Sequence, residues 1–158
     1  MSRRLSDWAS VAEIVSALAI VVSLLYVAYQ IKENTIEVRA TNRQELIARA
    51  MTAVERFADP QLSALVSKVA QGEALTPVER TQYTYIARTV FYDVQEAYLL
   101  YREGRLDEAY WNTRQSLILS YLQPTTAREI YRENASIGVL HADFVQWLDS
   151  ALEARYED

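Results

Sequence analysis

The stretch IVSALAIVVSLLYVAYQI, Ile14 to Ile31, carries eighteen residues without a charge, and nothing else in the chain resembles it. An apolar run of that length reads as a helix that spans a membrane. At about 1.5 Å per residue it reaches roughly 27 Å, close to the ~30 Å hydrocarbon layer. Trp8 precedes the run, and Tyr26 and Tyr29 lie near its end. Amphipathic rings suit the two membrane interfaces. A cleaved signal peptide would end in small residues at a cleavage site. This run ends instead in Tyr29-Gln30-Ile31-Lys32.

Orientation follows from Lys and Arg counted on each side of the segment. Arg3 and Arg4 come before it; Lys32, Arg39, Arg43 and Arg49 come after it. The balance predicts a short N-terminal tail outside and a cytoplasmic C-terminal domain.

One surface of the segment stands out. Ala9, Ala12, Ser16, Ala19 and Ser23 follow steps of three and four, and Tyr26 and Gln30 continue the count. The period is that of a left-handed helix pair or bundle. Small residues let helices approach closely in lipid, so this stripe is the expected packing face. Ile14, Leu18, Val21, Val22 and Leu25 lie opposite and suit lipid. Glu13 adjoins the stripe at the edge of the run. In a ring of helices Glu13 would line one mouth of a pore, with Gln30 towards the other; otherwise it is solvated among headgroups.

The rest of the chain reads as all-α. Among 158 residues there are three Gly and three Pro, too few turn residues for an all-β domain. No breaker separates Lys32 from Ala58, and Leu46, Ile47, Ala50, Met51, Val54 and Phe57 form a helical face. The expected organisation is a tail and transmembrane helix over 1–31, a stalk helix over 32–58 and a small helical bundle over 59–158. Asp59-Pro60 opens one bundle helix and Gly72 closes it. Thr76-Pro77-Val78-Glu79 is a capping box for a long helix to about Glu103. Asp107 caps the next helix, Thr126 with Glu129 makes a second capping box, and a last helix covers about His141 to Tyr156.

Composition excludes several chemistries. Cysteine is absent and His141 is alone, so neither thiolate chemistry nor a His-His metal pair is available. The formal charge of -5 and the lack of a basic cluster argue against nucleic acid. No Glu-x-x-His, nucleophile elbow, phosphate loop or dinucleotide fingerprint occurs. No cofactor and no catalytic residue is expected, and the protein reads as a non-enzyme.

Tyrosines crowd the middle of the bundle. Tyr85, Tyr92 and Tyr98 flank Asp93 and Glu96, which share a helical face three residues apart. These five residues are the candidate ligand pocket, although aromatic rings at helical spacing more often build a core. The expected partners of the two acids are tyrosine hydroxyls and Arg88 or Arg102.

The segments SALAIVVSLLYVAYQIKENT (16–35) and FYDVQEAYLLYREGRLDEAYW (91–111) resemble an uncharacterised family of short bacterial proteins with one N-terminal transmembrane helix and a helical C-terminal domain. The likeness covers the anchor, the stalk and the middle helices. It implies a single-pass protein of the bacterial inner membrane, and its motifs carry no known activity, so no functional residue transfers. The expected function is helix-mediated assembly, as a homo-oligomer or with other membrane proteins among membrane lipids. The alternative is a membrane-anchored ligand or lipid sensor that uses the tyrosine-rich domain.

Overall fold

Helix α3 (Pro77–Arg102) is the axis around which α2 (Pro60–Ala70), α4 (Glu108–Tyr121), α5 (Thr125–Ser136) and α6 (Ala142–Tyr156) pack. They follow one long helix, α1 (Ser2–Phe57). In this computed structural model the backbone is described for residues 2–156, and side chains for all of these except 2–7, 9–11, 56, 57 and 156. Among the described residues there is no strand, so the chain is an all-α protein.

The chain divides into two units, Met1–Val38 and Arg39–Asp158. In the first unit α1 carries an apolar window long enough to cross a membrane, and none of that window is buried. In water such a surface would have no partner. The second unit takes in the C-terminal part of α1, residues 39–57, which the sequence reads as stalk. Leu46 is only 1% exposed and belongs to the hydrophobic core of this unit. Arg39 Nε donates to the Gly104 carbonyl at 2.9 Å, and Asn42 Nδ2 donates to the Arg105 carbonyl at 3.0 Å. These bonds seat residues 39–46 on the turn between α3 and α4. Of the apolar face expected along residues 46–57, Leu46 is buried, while Ile47, Met51 and Val54 are exposed. The Phe57 side chain lies outside the described residues.

The local boundaries follow from capping chemistry. The Asp59 carboxylate accepts from the Gln61 and Leu62 N–H groups at 2.8 and 3.2 Å, and Pro60 occupies the first turn of α2. At α3 the Thr76 N–H donates to Glu79 Oε2 at 2.7 Å while the Glu79 N–H donates to Thr76 Oγ1 at 3.3 Å. That is the reciprocal box read from the sequence. Gly104 sits at φ +71° and ends α3, a conformation that residues with a Cβ rarely adopt. The last helix opens on His141, whose Nδ1 accepts from the Asp143 N–H at 3.3 Å.

One expected cap is absent. α5 begins at Thr125 behind Pro124, with no side-chain cap bond. Thr126 therefore lies inside the first turn, two residues past the cap position. Glu129 instead faces Arg80 at 3.6 Å.

The aromatic residues build the core. Phe91 lies edge-on to Tyr121 and Tyr131. Tyr98 packs on Trp111, Phe144 and Trp147, with ring centroids 5.5–5.7 Å apart. Tyr131 satisfies its buried hydroxyl by donating to Asp149 Oδ1 at 2.9 Å. Burial pushes the Tyr131 and Tyr121 hydroxyls above the ordinary phenol range.

Candidate functional site

A cavity of about 370 Å³ opens within the second unit where α1, α3 and α4 meet. Its walls are short or branched side chains: Ala50, Ala53 and Val54 from α1, Thr89 and Val90 from α3, and Leu117 from α4. Ala50 and Ala53 leave space that longer side chains would fill. A second hollow of about 630 Å³ adjoins it between α2 and α4 and shares Val54, Val90 and Leu117.

One end of the first cavity is charged. Arg49, Asp93, Glu96 and Arg114 meet there, with Tyr92 beside them. Arg114 is 6% exposed and spends its donors on protein groups. Its Nη1 pairs with Asp93 Oδ2 at 3.1 Å, its Nε donates to the Tyr110 hydroxyl at 3.1 Å, and its Nη2 donates to the Leu46 carbonyl at 3.3 Å. Arg49 pairs with Glu96 and lies 3.9 Å from Glu45. Asp93 Oδ1 is buried without a hydrogen-bond partner. Burial pushes the Asp93 carboxyl above its ordinary range. Arg114 counters the rise, Glu96 adds to it, and Arg49 opposes it more weakly.

Of the five residues read as a ligand pocket, the structure brings Tyr92, Asp93 and Glu96 to this cavity. It does not bring Tyr85 or Tyr98. Tyr85 is 64% exposed, with the Arg88 guanidinium over its ring. Tyr98 is buried in the aromatic core, where its hydroxyl donates to the Asp143 carbonyl at 3.2 Å. The expected partners of the acids are replaced as well. Arg88 donates to Asn134 Oδ1 at 2.6 Å and Arg102 donates to the Tyr98 hydroxyl at 2.8 Å. Arg114 and Arg49 take their places because α4 and α1, not the same helix, face Asp93 and Glu96. Sequence reasoning missed both arginines. A charged residue at Arg114, among the apolar positions Trp111, Ile118 and Leu119 of α4, was the available signal.

In the first unit, Ala12, Ser16, Ala19, Ser23, Tyr26 and Gln30 are all exposed along α1, as is Glu13. The Ala9 side chain lies outside the described residues. Ser16 Oγ donates to the Ala12 carbonyl at 2.8 Å within its own helix. Among the described residues no group of three or more carboxylate or imidazole side chains gathers as a metal site. Compared with protein-family models, curated proteins and solved structures, the chain matches none.

Proposed function

We propose that this is a non-enzymatic, single-pass membrane protein that works by helix-mediated assembly. The reading rests first on the uncovered apolar window of α1, which calls for a lipid environment. A bacterial inner membrane is the compartment that the resemblance to short anchored proteins favours. Lys32, Arg39, Arg43 and Arg49 favour a cytoplasmic bundle by the count of basic residues on each side.

The observation that carries assembly is the pattern on α1. Ala12, Ser16, Ala19, Ser23, Tyr26 and Gln30 step by three and four. Continued along the sequence, the same count passes Glu33, Glu37, Ala40 and Gln44 and then reaches Ile47, Met51 and Val54. These last three are exposed in the second unit, Met51 at 62% and Val54 at 67%. In lipid a packing face needs small residues, because apolar area gives no advantage there. In water it needs apolar ones. The count supplies small residues up to Ser23, mostly polar ones from Gln30 to Gln44, and apolar ones beyond. Copies of this helix, or a helix of another membrane protein, would fit such a face. The internal bond of Ser16 favours packing over a conducting pore, since its proton is already committed.

The test is the native mass of the full-length protein, extracted from its own membrane in mild detergent. The expected result is one defined assembly that falls to the protomer mass in both Ser16→Leu and Met51→Glu, with helix content unchanged. A protomer mass for the unaltered chain, or an assembly indifferent to both substitutions, would overturn the proposal.

A further inference from the structure

We infer that the hollow where α1, α3 and α4 meet, with the one beside it between α2 and α4, forms a binding site for a single unbranched hydrocarbon chain. The site does not depend on assembly through α1. Only the ready supply of such chains rests on the membrane reading above.

The lining decides what body the ligand has. Ala50, Ala53, Val54, Val90 and Leu117 wall the first hollow with hydrocarbon. Thr89 stands among them, but its hydroxyl donates to the Tyr85 carbonyl of its own helix at 3.1 Å. Val54 is 67% exposed and Leu117 41%, so this apolar surface stands open to solvent. Covering it is favourable in proportion to its area. The volume of about 370 Å³ falls within the roughly 300–1,000 Å³ typical of small-molecule pockets.

The charges at one end decide how little the head group matters. Arg49 pairs with Glu96 and Arg114 with Asp93, two cations against two anions. Arg114 also donates to the Tyr110 hydroxyl and the Leu46 carbonyl. This end therefore carries no net charge, and a charged head of either sign gains nothing there over a neutral one. Affinity has to come from the body of the ligand.

Shape then selects a chain over a compact body. Val54, Val90 and Leu117 wall the second hollow as well, which offers about 630 Å³ beside Val66, Ala70 and Tyr121. A compact body fills one hollow and leaves the other wet. An unbranched chain passes the three shared side chains and covers both. The acyl chain of a bilayer lipid and the tail of a free amphiphile share this chemistry.

The experiment holds the full-length protein in amphipol and uses octanol with a photoreactive diazirine on its chain. After irradiation, mass spectrometry of tryptic peptides locates the label. Saturable label is expected in peptides 50–56 and 115–128, which carry the α1 and α4 walls. Label in peptide 5–32, which carries the apolar run, should rise without saturating and so measures mere partitioning. Butanol, hexanol and octanol should displace the saturable label at free concentrations that fall about fourfold per added CH₂. Octylammonium and octanoate should match octanol within about fivefold. Ala53→Leu fills the first hollow and should abolish the saturable label. Should that variant fail to fold, Ala70→Leu decides the matter: it narrows the second hollow and should weaken octanol while leaving butanol unchanged. Labelling in phosphatidylcholine vesicles separates the two sources. Loss of the saturable label there, with peptide 5–32 still labelled, identifies a lipid chain as the occupant, and its persistence identifies a free amphiphile. Absence of saturable label in amphipol, label indifferent to both substitutions, or a head-group preference beyond fivefold overturns the inference.

Discussion

Arg114 reaches across the second unit to donate from Nη2 to the carbonyl oxygen of Leu46 at 3.3 Å, while its Nη1 holds Asp93 at 3.1 Å. One buried guanidinium thus ties the C-terminal part of α1 to α3 and α4. Three elements depend on it, and its donors are shared among a backbone carbonyl, a phenol and a carboxylate.

Arg114→Met should therefore be costly. It leaves Asp93 in a largely buried place without its cation and the Leu46 carbonyl without that donor. Breaking a buried ion pair from one side costs about 3 kcal/mol or more. Asp93 keeps some contact with solvent, its side chain being 20% exposed, so the lower end applies. Adding Asp93→Asn should recover part of the loss, because the stranded charge is then gone. Urea unfolding of the full chain in mild detergent measures both.

Leu46→Ala should cost about 3 kcal/mol, as large-to-small changes in cores do. Its neighbours Ile47 and Met51, both exposed, should cost less than about 0.5 kcal/mol when changed to Ala. The same contrast predicts that a chain beginning at Glu55 melts at lower temperature and less sharply than one beginning at Arg39. Equal melting of the two chains would show that Leu46 contributes nothing to this core.

Two acids should give opposite responses to pH. The Lys68 ammonium, with the Thr76 N–H and hydroxyl, holds the Glu79 carboxyl down at about 2 from an ordinary 4.5. A depressed value means stability present above 4.5 and lost as pH falls towards 2. Glu79→Gln should thus be destabilising at neutral pH, by an amount that shrinks with acid. Asp93 is raised above its ordinary 3.8. Its contribution is full below that value and is lost as pH rises through the folded-state value. Asp93→Asn should remove that alkaline-side loss. Melting temperatures of the three chains between pH 2 and pH 7 check both signs.

Val22→Arg places a charge near the middle of the apolar run, at a position 64% exposed. Such a charge opposes insertion by roughly 2.5–3.5 kcal/mol. The variant should be released from membranes by alkaline carbonate, whereas Val54→Arg should stay with the pellet. Retention of both variants would remove the apolar run as the anchor.

The helices were legible where a side chain meets its own neighbouring backbone. Asp59-Pro60 and the Thr76/Glu79 box are local devices, and the structure forms both. The Thr126/Glu129 box failed because α5 is capped at Pro124, two residues earlier, and Arg80, from another helix, draws Glu129 away. The candidate site shows the same divide. Asp93 and Glu96 share a face by helical spacing alone, so periodicity finds them. Arg49 and Arg114 come from other helices, and the hollow itself arises from the small size of Ala50 and Ala53. No spacing rule reports which helix will face which, and so Arg88 and Arg102 were the wrong partners.

The placement of the three tryptophans gives the protein a built-in division of optical signals. Trp111 and Trp147 lie with ring centroids 4.8 Å apart, nearly edge to face, in the second unit. Rings held so closely at a fixed angle couple their transitions, so near-ultraviolet dichroism should report the packing of that unit and vanish when packing is lost. Trp8, 73% exposed in the first unit, has no such neighbour among the described rings. Its emission wavelength therefore tracks the polarity of the medium around the start of α1. With Trp8→Phe as the blank, one cuvette can follow entry into a bilayer and unfolding of the helical bundle as two separate events.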